Sequence, residues 1–214
     1  HKMTQRRAHE VLEFWFGTRP YKLAQLAERS TLWFGSRELP SLQQESDAAL
    51  IHRFADLTAA AAAGQLTAWE SGPRRRLALI LLLDQFPRTI HRGQPAAYAQ
   101  DHAALSLAVT GMQLGAEATL VPIERAFFYM PLQNAESSDI QEESVAAFQR
   151  LAAETPAELK PFCDQMLRRA QAHRHCIQRF GRFPMRNAVL DRATTPEEAQ
   201  WLAQLRGLET RNGA

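Results

Sequence analysis

Strand-forming residues are scarce in this 214-residue chain. Valine and isoleucine are few, and no stretch alternates apolar with polar side chains, which excludes a sheet-based fold. Cysteine is limited to Cys163 and Cys176. If one helix carries both, their thirteen-residue separation puts them about 20 Å apart along its axis. A disulfide needs Cα atoms within about 7 Å, so two free thiols are expected, as suits a reducing cytoplasm. Long apolar runs are also missing. The longest is the seven residues Leu77–Leu83, far short of the ~18 that a membrane span needs, and no charged–apolar–small leader opens the chain. No sign of charge dominates either: 25 Lys+Arg stand against 23 Asp+Glu. A dedicated nucleic-acid binder shows a strong basic excess, so that class is excluded. His-x-x-x-His and Cys-x-x-Cys spacings do not occur, and His173 and His175, two apart, point to different faces of a helix; no metal site is expected. Neither a Gly-x-Ser-x-Gly elbow nor a phosphate-cradling glycine loop appears, and no cofactor is expected.

What is present is helical punctuation. Thr155-Pro156-Ala157-Glu158 and Thr195-Pro196-Glu197-Glu198 have the same form: Thr as N-cap, Pro in the first helical position, Glu reaching back. The first opens the series Leu159, Phe162, Met166, Ala170, Ile177 and Phe180, dominated by steps of three and four. The second leads into Trp201, Leu202, Leu205 and Leu208. Further helices are expected at about 4–16, 21–29, 40–63, 73–86, 95–114, 121–132 and 138–153. Leu77–Leu83 is apolar all round, so its helix belongs in the centre. The fold expected is all-α, a compact single domain over 3–207 built as a repeat-like array of helical hairpins. His1-Lys2 read as additions ahead of Met3, and 208–214 as a tail.

Three stretches end an apolar or aromatic run on a proline: Leu81-Leu82-Leu83-Asp84-Gln85-Phe86-Pro87-Arg88, Ala126-Phe127-Phe128-Tyr129-Met130-Pro131-Leu132, and Phe180-Gly181-Arg182-Phe183-Pro184-Met185-Arg186-Asn187. Proline disrupts a helix and biases the residue before it away from helix. Each motif is therefore expected at a helix end, with its polar residues gathered there.

These motifs, with Phe14-Trp15-Phe16-Gly17, Trp33-Phe34, Arg92-Gly93 and Asp101, resemble a bacterial family catalogued as domain of unknown function 924. The likeness runs from about residue 10 to 205. It implies a tetratricopeptide-like all-α fold and no established activity. This chain departs from the family pattern at two histidines, where it has Asn134 and Met185. The family's Leu-Gly-Arg turn here reads Leu190-Asp191-Arg192.

The candidate chemistry follows from the proline motifs. Asp84, after a fully apolar stretch, is expected to be buried and paired with an arginine, Arg88 first and Arg92 second, because an unpaired buried carboxylate is costly. Arg88, Arg182 and Arg186 are candidates to hold a carboxylate or phosphate, with Asn187 and Glu136 orienting it and Asn134 and Met185 facing the same pocket. Each residue also has a plain structural reading: an ion pair pinning the turn for Asp84, carbonyl capping for the arginines, helix-start roles for Glu124 and Glu136. Trp15, Trp33, Trp69 and Trp201 could line a groove or fill the core. Three functions stay open. One is a cytoplasmic binder of a small anion or an acidic peptide group. Another is an enzyme, perhaps a hydrolase, with Asp84 or Glu136 as its acid–base group. The third is a scaffold using an apolar groove. The oligomeric state is not legible.

Overall fold

The computed structural model describes residues 2–35 and 38–212. Every regular element among them is helical, as expected. The α-helices in order are α1 (Lys2–Phe16), α2 (Leu23–Glu28), α3 (Ser30–Phe34), α4 (Pro40–Ala62), α5 (Pro73–Leu83), α6 (Gln85–Ile90), α7 (Asp101–Gln113), α8 (Pro122–Gln133), α9 (Ser138–Glu154), α10 (Lys160–Phe180) and α11 (Pro196–Asn212), with short 3-10 turns between some of them. Their lengths run from 5 residues in α3 to 23 in α4. α11 continues past 207 to Asn212. His1 and the last two residues of the expected tail lie outside the described residues.

α5 forms the centre. Leucine and alanine favour helix, and Pro73 in the first position costs no hydrogen bond. Every residue from Arg76 to Leu83 is buried. α1, α4, α7 and α8 all pack on α5, and α9 lies between α8 and α10. α7 approaches closely because residue 111 is glycine: a Cβ there would lie 2.5 Å from the Phe128 ring and 2.9 Å from Arg76 Cδ. A second focus is Phe127, whose ring meets Trp15, Phe16 and Trp33 at centroid distances of 5.4, 5.7 and 5.2 Å. Trp15, Trp33 and Trp69 are core residues, while Trp201 is partly exposed against Phe180.

The prolines do not stop the helices in the manner expected. Pro87 lies in the first turn of α6, where its missing N–H would have no intrahelical partner in any case. Its ring disfavours a continuous helix with Leu83, four residues back, and the break falls at Asp84 (φ −103°, ψ −61°). Pro131 lies inside α8, which runs on to Gln133. α10 is ended by Gly181 (φ 73°), not by Pro184. The two Thr-Pro signals also diverge. At α11, Glu198 N–H donates to Thr195 Oγ1 (3.1 Å) and Thr195 N–H to Glu198 Oε1 (2.9 Å), a complete capping box. Thr155 instead turns back onto α9, donating to Leu151 O, with its Oγ1 3.2 Å from Cys163 Sγ. At α9 the cap is Ser137, whose side chain accepts from Ile140 N–H. Gln141 Nε2 donates to the carbonyls of Gln133 and Ala135 at the end of α8, 2.8 Å each. Cys163 and Cys176 are both on α10 and unpaired, as expected.

Glu198 carries a testable pH dependence. The bidentate bond from Arg182, with Thr195 N–H, holds its pKa down to about 2. A carboxyl depressed in the folded state stabilises above its unfolded pKa of about 4.3 and loses that stabilisation as pH falls through the folded value. Glu198→Gln is therefore expected to lower the melting temperature at pH 7 and to leave it nearly unchanged at pH 2. An equal decrement at both pH values would contradict the role assigned to the charge.

Candidate functional site

The break at Asp84 separates α5 from α6 and places the Asp84 carboxylate against Asn134, the C-cap of α8. Asp84 is fully buried. Its carboxylate accepts from Gln85 Nε2 (2.7 Å) and Asn134 Nδ2 (3.1 and 3.3 Å), and Arg88 Nη1 lies 3.5 Å away. Burial pushes its pKa up, against the pull of Arg88. The pairing with Arg88 is present, but Arg88 bonds more closely elsewhere. Its guanidinium grips Asp101 bidentately at 2.8 and 3.0 Å and donates to Asp84 O at 2.6 Å. Arg92 pairs with Asp47 (3.2 Å), not with Asp84. Across Asp101, Arg186 stacks over Tyr98 and Phe183 at 4.6 and 4.7 Å and donates to Asn134 O at 3.0 Å. Desolvation, with Arg88 nearby, lowers the Arg186 pKa.

The residues expected to share one pocket divide into three groups. Arg88 and Asn134 line a cavity of about 410 Å³. Arg186 and Glu136 line a neighbouring cavity of about 430 Å³, whose wall also includes Asn134. Arg182, Asn187 and Met185 line neither. Arg182 bonds Glu198 and Ala193 O, tying the end of α10 to α11. Asn187 is buried, its side chain engaged by Thr194, Glu198 and Arg192. Met185 is 54% exposed, so the expectation that it faces the same cavity as Asn134 is not met. Glu136 is committed as well. Burial would raise its pKa, but bonds from Arg192 (2.8 and 3.2 Å) and Phe183 N–H (2.6 Å) hold it below the usual range. Glu124, fully buried, anchors the first turn of α8 through Arg19, Arg74 and Tyr21. In the turn at 190–192, Asp191 is left-handed at φ 54°.

The 410 Å³ cavity lies between α3, α4, α6 and the ends of α1 and α8, with α10 along one side. Three arginines line it, Arg88, Arg92 and Arg169, with one carboxylate, Asp47. Arg88 and Arg92 have acidic partners. Arg169 has none among the described residues; its guanidinium lies 4.4 Å from the centre of the Phe34 ring. The residue as a whole is exposed, yet desolvation of the charged end lowers its pKa. Trp15 and Gln133 also line the cavity, but their donors, Trp15 Nε1 and Gln133 Nε2, are sealed from solvent and have no partner among the described residues. A larger cavity, about 730 Å³, lies between α1, α2 and α4. Its charged lining is Glu13, Glu28, Glu45, Arg29 and Arg53, which does not favour an anion.

Reasoning from sequence missed Arg169. A signal was available: with Phe162, Met166, His173, Ile177 and Phe180, residue 169 keeps the three- and four-residue steps of the inward face of α10. A charge in that register is a polar residue placed at the edge of the core.

Fold and cavity together define an all-α protein with an arginine-lined polar cavity where several helix ends meet. The chain belongs to a bacterial protein family of unknown function, domain of unknown function 924, whose model matches residues 11–205. It is 33% identical to a protein of unknown function from Agrobacterium tumefaciens, ATU0120, whose solved structure superimposes with a TM-score of 0.76 over 94% of this chain and 99% of that one. Among curated proteins none matches. No helix among the described residues is long and apolar enough to cross a membrane.

Proposed function

We propose that the protein binds a small organic anion in the 410 Å³ cavity. The observation that carries this is Arg169, a cation in the cavity wall without an acidic partner among the described residues. A planar guanidinium suits a carboxylate or phosphate, which it can bind through two parallel bonds. Arg88 and Arg92 add positive potential. Trp33, Phe34, Leu32 and Met130 form the apolar side, suited to an organic body. The volume falls within the ~300–1,000 Å³ usual for such sites. The acidic side chain of a peptide would present the same carboxylate, but the modest volume favours a small molecule.

The geometry gives less support to acid–base catalysis by Asp84 or Glu136. Asp84 lies behind Gln85 and Asn134 and does not line the cavity; Glu136 is held by Arg192. For a scaffold, the most exposed apolar side chains, Leu23, Leu39, Leu114, Met185 and Leu208, are scattered over separate segments, a pattern ordinary for surfaces.

The test is a thermal-shift panel of carboxylates and phosphate esters at fixed ionic strength. A ligand at about 100 times its Kd stabilises by about 2.7 kcal/mol. Arg169→Met should abolish the shift while leaving the unliganded melting temperature unchanged. A panel without any hit, or a shift that survives Arg169→Met, would overturn the reading.

A further inference from the structure

His173 stands one helical turn beyond Arg169 on α10 and lines the same cavity. Its Nδ1 lies 2.8 Å from the carbonyl oxygen of Arg169. A carbonyl only accepts, so Nδ1 carries the proton of the neutral ring and Nε2 is left with its lone pair. The ring packs edge-on against Phe183, with centroids 5.3 Å apart, which fixes its plane. Nε2 has no partner among the described residues and is not one of the sealed, unpartnered atoms. Arg169, Arg186 and Arg88 are the charged groups acting on the ring. Burial and these cations hold its pKa down to about 4, so the ring is neutral at pH 7.

The cavity therefore has one feature that an anion alone does not use. Arg169, Arg88 and Arg92 are all donors. Asp47, the one carboxylate in the lining, is engaged by Arg92. His173 Nε2 is an open acceptor, about 5–6 Å from Arg169 between Cβ atoms by its i,i+4 spacing. A ligand that satisfies both groups carries an anion and, a few bonds away, a hydrogen-bond donor. That donor is better neutral than cationic, because three arginines in the lining repel an ammonium group.

Building on the anion site described above, we propose that the ligand class is a hydroxycarboxylate. Arg169 holds the carboxylate, and the hydroxyl donates to His173 Nε2. Unsubstituted carboxylates lose the second bond, and amino acids of the same skeleton are disfavoured by their charge.

The experiment measures binding by calorimetry for matched pairs: lactate with propionate, malate with succinate, and phenyllactate with phenylpropionate, and adds phenylalanine to the last. For at least one skeleton the hydroxy acid is expected to bind about tenfold more tightly than its deoxy partner, as one net hydrogen bond of about 1.4 kcal/mol gives. His173→Phe keeps a ring against Phe183 and should erase this preference while leaving the deoxy partner's affinity unchanged. His173→Gln, which retains an acceptor, should restore part of it. Carboxylates that bind with no hydroxyl preference, or a preference that survives His173→Phe, would overturn this inference and leave the anion site standing. If no carboxylate binds at all, this inference falls, and the phosphate esters of the thermal-shift panel decide whether the anion site falls with it. Nitrogen NMR of the free protein provides an arm that needs no ligand: the Nδ1–H tautomer is expected at pH 7, and the Nε2–H tautomer would sink the proposal.

Discussion

Replacing Arg88 with methionine should lower the free energy of unfolding by about 3–5 kcal/mol, the usual cost of breaking a buried ion pair from one side. Arg88 is the hinge of two carboxylates. Asp84 is fully buried, and only 18% of the Asp101 side chain is exposed. Without the guanidinium, Asp84 keeps only the amides of Gln85 and Asn134, and Asp101 keeps Arg186 at 3.6 Å. The carbonyl of Asp84, at the break between α5 and α6, also loses the donor 2.6 Å away. Methionine fills similar volume, so the loss would be electrostatic rather than a cavity effect. Asp84→Asn should cost clearly less. It removes the charge that burial opposes and leaves the Arg88–Asp101 pair intact. Urea unfolding with an unchanged slope measures both. A loss below about 1 kcal/mol for Arg88→Met, the range of surface pairs, would show that the network contributes little.

The second large effect is expected at Phe127. Phe127→Ala should cost about 3–5 kcal/mol, because a large hole in a close-packed core collapses only in part. Three aromatic rings contact this one. Two of them, Trp15 and Trp33, also form the wall of the proposed binding cavity. The variant is therefore expected to weaken anion binding although residue 127 does not line that cavity. Phe127→Leu should recover much of both losses. A stable Phe127→Ala variant with undiminished binding would show that the tryptophans hold their places without it.

The helical character of the chain was legible because it rests on local rules. The all-apolar run Leu77–Leu83 can only be satisfied by burial on every side, and it is the central helix. Thr195-Pro196-Glu197-Glu198 closes its capping box within four residues, so no distant part of the chain bears on it. Asp84 was readable for a related reason: a carboxylate following a fully buried stretch must find a cation, and Arg88 is four residues away. Thr155 shows the limit of such reading. Its motif has the same form as the one at Thr195, yet its hydroxyl turns back to Leu151 O, four residues earlier on α9, and meets Cys163, a neighbour that the packing of α9 against α10 supplies.

The site depended more heavily on long-range partners. Arg182 and Asn187 looked available beside a proline, but Glu198 on α11 engages both. Glu136 meets Arg192 across 56 positions. In sequence Arg169 is one of several arginines along α10, and only the arrival of α3, α6 and α8 makes it a cation in a cavity wall. By itself the sequence determined that the chain is all-α, which helix is central, that Asp84 must be buried with a cation, and that two thiols on one helix stay apart. These follow from periodicity, capping and the cost of burying charge, all of which act over a few residues. The tertiary structure alone decided which arginines are spent on ion pairs and which one is left over. That depends on carboxylates brought near from distant positions, and local chemistry does not encode those distances.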